Sequence, residues 1–97
     1  MAQTVIAKFK LSSPDKVEQW KELSEKIQAG ISQADGFISR DTGVDAEGNY
    51  YCVVKFDSKQ QREANMKKAM EEFPELFTTF AEVVDMSTMT KTEIDLS

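Results

Sequence analysis

The chain has 97 residues, a net charge of −5, 40% apolar and 30% charged residues, one cysteine and no histidine. This length suits one domain, residues 1–97, whose core hides well under three quarters of the unfolded surface. The acidic balance argues against nucleic acid, which needs clustered cations to release counterions, and the missing histidine removes the commonest general base, metal ligand and haem ligand.

No apolar run approaches the roughly 20 residues that span a bilayer, so no membrane partner is expected. The opening MAQTVIAKFKL reads as a strand rather than as a leader, and a cytoplasmic location is expected. Cys52 has no internal disulfide partner and sits among valines and tyrosines, where a small buried hydrophobe is the expected role.

Thr4 to Leu11 alternates. Val5, Ala7, Phe9 and Leu11 fall on one face, and Thr4, Ile6, Lys8 and Lys10 on the other, as in a half-buried strand. Ser12-Ser13-Pro14-Asp15 supplies a serine cap, a proline for the first helical position and an early acid, which predicts a helix start. Val17, Trp20, Leu23, Ile27 and Ile31 follow at spacings of three and four, forming one apolar stripe with Ala34 near its end. Asp35-Gly36 closes that helix.

Phe37 to Val44 predicts a second, more polar strand. Asp45 to Asn49 is a polar hairpin loop with a glycine suited to positive φ. It lacks the spacing of a calcium loop. Tyr50 to Phe56 is apolar on both faces except at Lys55, as expected of a central strand. A second helix is predicted over 58–72. Its apolar positions are sparse: Ala64, Met66, Ala69, Met70, then Phe73 before Pro74. Lys59, Arg62, Lys67 and Lys68 alternate with Glu63, Glu71 and Glu72, which reads as a solvated face. Residues 75–84 predict a short helix, and the threonine-rich 87–96 a last strand.

The order β-α-β-β-α-(α)-β with right-handed crossovers predicts an α+β, ferredoxin-like antiparallel sheet with helices on one face. The other face would expose Ile6, Ile38, Tyr51 and Val53. A contiguous apolar patch of that kind marks an interface, and its simplest closed solution is a homodimer with the sheets face to face.

The segments VIAKFKL, DGFISRD, YYCVVKFDSKQQREANM and FPELFTTFAEVV, in this order, resemble the dimeric α/β-barrel proteins of the antibiotic biosynthesis monooxygenase (ABM) type. The resemblance covers about residues 4–92. It implies a substrate pocket between the helices and the sheet, and an activity such as cofactor-independent oxygenation of a small apolar or aromatic substrate. Residue by residue, the chain departs from the family. Asn65 stands where relatives often carry His, Val54 where they often carry Glu, and Phe56 where they often carry Trp. Phe9 stands where haem-degrading relatives carry Asn, so haem degradation is not implied. No metal and no cofactor is expected.

A cofactor-independent oxygenase needs an apolar pocket, orientation and a polar group that favours the substrate anion. Asn65 is the candidate for that group. Side-chain alternation places Tyr50, Cys52, Val54 and Phe56 on one side of their strand. With Phe9, Trp20 and Met66 they are the candidate pocket lining. The alternative is that these residues fill a core, Asn65 faces solvent, and the chain is a non-catalytic dimeric interaction or regulatory module.

Overall fold

In the computed structural model, which describes residues 1–97, the first alternating segment forms β1, Gln3–Leu11. Val5 and Phe9 are buried on its inner face, and Gln3 continues that inward set. A 3-10 turn, Pro14–Lys16, leads into α1, Val17–Ile31, which buries Trp20 and Leu23. Ser13 is extended, and its hydroxyl donates to the Asp15 carboxylate rather than capping a backbone N–H. Gly36 then turns the chain at φ +82°, and a Cβ there would lie 2.3 Å from Gln61 Oε1. Glycine is favoured at this position by the left-handed backbone, and the flexible end of the Gln61 side chain lies over it.

β2, Phe37–Val44, and β3, Tyr50–Phe56, form a hairpin. α2, Lys59–Glu72, is capped by Ser58 Oγ, which accepts from the Gln61 N–H at 3.2 Å. Pro74 opens α3, Pro74–Val83, and β4 runs from Val84 to Asp95. The sheet order is β2-β3-β1-β4, with every pair antiparallel. This is the α+β ferredoxin-like arrangement, with β3 and β1 central as the apolar character of β3 predicts.

The last strand starts three residues before its predicted beginning, and α3 ends at Val83. Val83 and Val84 are both buried, and Val84 pairs with Leu11. Val84, β-branched and paired to β1, suits the pleated surface better than a helix end. β4 is irregular between its pairings Lys8 with Thr90 and Lys10 with Asp85. The Lys10 N–H donates to Thr88 Oγ1 at 2.8 Å, and both the N–H and hydroxyl of Ser87 donate to Asp85, which fixes the bulge.

The β2–β3 turn is organised by Asp45. Its carboxylate accepts from the N–H groups of Glu47 and Asn49 at 2.9 Å each, from the Asn49 side-chain amide at 3.1 Å and from the Tyr51 hydroxyl at 2.9 Å. These donors, the Asn49 N–H foremost, favour the charged form and hold Asp45 at about 2 against an ordinary 3.8. The folded value lies below the unfolded one. The turn's contribution to stability is therefore complete above about pH 4 and is lost as pH falls through about 2. In an NMR titration the Asn49 amide is expected to report a midpoint near pH 2; a midpoint near 4 would show that these bonds do not form in solution.

All three helices cover one sheet face. Phe9, Trp20, Leu23, Val83 and Val84 form the main core there, joining β1, α1, α3 and β4. On the opposite face Ile6 lies beside Val53 and Thr92, and Lys8 beside Tyr51.

Candidate functional site

The aromatic residues predicted to line a pocket pack against one another. The Phe9 ring meets Trp20 edge-on at 5.1 Å and stacks with Tyr50 at 6.1 Å, and Phe80 closes the group at 5.8 Å from Phe9 and 6.2 Å from Trp20. Phe9 is 1% exposed and Trp20 5%, so the space between α1, α3 and the sheet is filled by protein. Cys52 packs at the edge of this group, opposite Ala7. Val54 lies further along β3, opposite Val5 and Arg40, and Phe56 ends the strand fully buried against Phe37, 5.8 Å away. Met66 is not brought to any of these residues: it is exposed on α2.

α2 presents a mixed, mostly polar face to the sheet rather than an apolar stripe. Its inward positions are Gln61, Arg62, Asn65 and Ala69, while Met66, Met70 and Phe73 are exposed. The solvated face predicted for Arg62 is corrected by this orientation, because Arg62 is buried. The cause is Gln3, which β1 places inward at 2% exposure. A buried amide needs partners. Arg62 Nε donates to Gln3 Oε1 at 2.8 Å, and Gln3 Nε2 donates to Asp95 at 3.0 Å. Arg62 also donates to Glu93, and Lys59 lies 4.0 Å from that same carboxylate and 3.8 Å from Glu63. The polar dock of α2 on β1 and β4 is thus a connected network rather than an apolar seam.

Beside this network an open groove of about 530 Å³ runs between α2 and the helix-facing side of β4. Arg62 and Glu93 form its inner end, Met66 and Met70 line the α2 wall, and Lys91 stands on the β4 wall. Lys91 pairs with Ala7 and Glu93 with Val5, which fixes both on the same side of the sheet as the core. Asn65, almost one turn beyond Arg62 on α2, is half-buried and does not line this groove.

On the other flank of the sheet, Arg40 of β2 reaches α1. Its guanidinium donates to the Ser24 carbonyl at 3.3 Å, to Ser24 Oγ at 3.1 Å, to Gln28 Oε1 at 3.4 Å and to Cys52 Sγ at 3.7 Å. Burial pushes the Cys52 thiol up, and the nearby Arg40 charge opposes this. The thiol therefore stays protonated near neutral pH and packs as a small hydrophobe.

Of the four residues predicted for an interface, Ile6, Tyr51 and Val53 are half-buried on the face without helices, and Ile38 is exposed beside the β2 irregularity. Sequence reasoning missed Gln3, Arg62 and Glu93. One signal was available: extending the alternation of Val5, Ala7 and Phe9 backwards places Gln3 inside, where it demands a polar partner. Arg40 gave no such signal, because its strand is too polar to show a phase.

No protein-family model and no curated protein matches the chain. Solved structures do match its fold. A conserved protein from Methanosarcina mazei superposes with a TM-score of 0.85 at 16% identity, over 100% of this chain and 94% of that one. A Nitrosomonas europaea protein provisionally assigned as an antibiotic biosynthesis monooxygenase gives 0.83 at 13% identity, over 98% and 89%. SnoaB, a cofactor-independent oxygenase from Streptomyces nogalater, gives 0.80 at 11% identity, over 99% and 93%. The fold is therefore that of the ABM-like proteins.

Proposed function

We propose that this protein is a homodimeric, ABM-like small-molecule protein that binds its substrate in the groove between α2 and β4 and oxygenates it without a cofactor. The observation that carries this reading is the groove itself: an open cleft on the helix-facing side of the sheet, in a fold shared with a cofactor-independent oxygenase. The chemistry asks little of the chain. A substrate carbanion passes electrons to O₂, the carbon–oxygen bond forms, and loss of water leaves a carbonyl: RCH₂R′ + O₂ → RC(O)R′ + H₂O. With no histidine in the chain, the fitting substrate is acidic enough to ionise near neutral pH. The protein then supplies orientation and charge stabilisation. Asn65, the neutral candidate on α2, is not among the residues that line the groove, and no orienting role is assigned to it. Incubation with acidic hydroxylated aromatics is expected to consume one O₂ per substrate with no added cofactor. Substrate binding with no oxygen uptake would refute the oxygenase.

A non-catalytic binding or regulatory module is the second reading. It is favoured by the filled aromatic cluster around Phe9 and Trp20, which occupies the space that a pocket would take.

The dimer is argued from the uncovered sheet face. Ile6 and Val53 are neighbours at its centre, on the two inner strands, and a second copy covers them by two-fold pairing. Val53→Glu is the clean disruption, since Tyr51 is also tied to Asp45. Sedimentation of the wild type at micromolar concentration is expected to give twice the chain mass of 11.0 kDa, and the variant to sediment as a monomer. A wild-type monomer would remove the interface argument.

A further inference from the structure

We infer that the α2–β4 groove selects an organic anion with an apolar or aromatic body, its charge held by Lys67 and Lys91 and its body laid along Met66 and Met70. The inference rests on the reading of this groove as the binding site. It adds the chemical class of the occupant.

The charges of the groove are not equally occupied. Arg62 is bound to Glu93 and Gln3, and Lys59 lies within 4.0 Å of both Glu63 and Glu93. Those groups saturate one another at the inner end. Lys67 and Lys91 also line the groove, and no carboxylate lies within ion-pair distance of either. The lining as a whole carries four cations (Lys59, Arg62, Lys67, Lys91) against three carboxylates (Glu63, Glu71, Glu93), a balance of +1. The chain as a whole carries −5. The groove is thus a local exception on an acidic protein, and it attracts small anions that the surrounding surface repels.

The apolar part of the lining sets the shape of the ligand. Met66 and Met70 are one helical turn apart, 43% and 56% exposed, on a helix whose other outward residues are mostly charged. Adjacent thioethers of this kind accept flat or irregular apolar bodies and make favourable sulfur–aromatic contacts. A neutral hydrocarbon would cover the methionines but desolvate two unpaired ammonium groups. An inorganic anion would meet the lysines and leave the methionines in water. A polyanion would meet Glu71, which lines the same wall. A single negative charge on an apolar body satisfies the lysines and the methionines together. It is also the state in which an acidic substrate reaches a protein that has no histidine to deprotonate it.

The test uses the full chain labelled with ¹³C at its methionine methyls, titrated in parallel with 2-naphthoate, its neutral analogue 2-naphthamide, and acetate. Naphthoate is expected to shift the methyls of Met66 and Met70 and to leave Met1 and Met86 unmoved. Naphthamide and acetate are expected to bind at least about tenfold more weakly, and Lys91→Gln to weaken naphthoate by about threefold to tenfold, an effect that fades with added salt. Lys91 is exposed, so this variant keeps the fold, and its unshifted methyl spectrum without ligand checks that. Equal binding of naphthoate and naphthamide at Met66 and Met70 would overturn the anion class while leaving the groove as the site. Shifts confined to Met86 or Met89, or no shift with any of the three, would overturn the groove reading and this inference with it.

Discussion

Arg62→Met is expected to lower the unfolding midpoint of the protein by about 8 °C or more. Arg62 is the one charged residue of α2 that is buried, and it is the donor to a glutamine that is itself 2% exposed. Methionine keeps the stem and its packing. It leaves the Gln3 carbonyl oxygen without a donor and Glu93 with only Lys59 at 4.0 Å. Loss of a charged hydrogen bond to a buried partner costs about 1.5–3 kcal/mol. Glu93 is 38% exposed, so water recovers part of its loss and the lower half of that range applies to the ion pair. In a domain of this size each kcal/mol moves the midpoint by roughly 4–8 °C. The second variant sharpens the result. Gln3→Leu combined with Arg62→Met removes donor and acceptor together, and replacing a buried polar pair by apolar groups is often close to neutral. The double variant is therefore expected to melt closer to wild type than the single one. Thermal unfolding followed by circular dichroism, at one fixed protein concentration, measures both. A single variant within about 2 °C of wild type would mean that α2 is not docked through Arg62.

The same network explains what could and could not be read from the chain. Strand phase was legible, because period-two alternation assigns each side chain to a face. The inward set Val5, Phe9, Tyr50, Cys52 and Phe56 and the outward set Ile6, Tyr51 and Val53 fall as the pattern predicts. The third strand ran from Tyr50 to Phe56 in both readings, since a β-branched and aromatic run between turn residues admits few alternatives. α2 was not legible in this way. A helix is oriented from its apolar stripe only when the surface it meets is apolar, and here that surface holds Gln3 and Glu93. Met66, expected in the pocket lining, is instead exposed beside an arginine that has a buried acceptor to satisfy. The groove lies beside that polar dock, so the pattern that hid Arg62 also hid the groove. What remained illegible on the other flank was Arg40, whose role depends on α1 crossing β2 at Ser24 and Gln28, residues 16 and 12 positions away.

Phe9→Ala is expected to destabilise the protein by about 3–5 kcal/mol, the cost of truncating a fully buried aromatic side chain. The magnitude decides between two roles for the aromatic cluster. If Phe9 lined an empty substrate pocket, its removal would enlarge a space already hydrated and would cost little beyond the lost contacts. In the structure Phe9 is 1% exposed and in contact with three rings, Trp20, Tyr50 and Phe80. Those rings are held by three different elements, α1, β3 and α3, so they cannot collapse together into the space left behind. The variant should therefore contain an apolar cavity among Trp20, Tyr50, Phe80 and Val84. Such a cavity stays dry and binds a small apolar guest. Saturating benzene is accordingly expected to raise the melting temperature of Phe9→Ala and to leave that of the wild type unchanged, because ligand binding to the native state alone stabilises it by mass action. If benzene raised the wild-type melting temperature equally, a pocket would already exist beside Phe9, and the proposed substrate site would move from the α2–β4 groove to the aromatic cluster under α1 and α3. The guest titration separates these cases even if the variant is too unstable for structural work, since it needs only a melting curve.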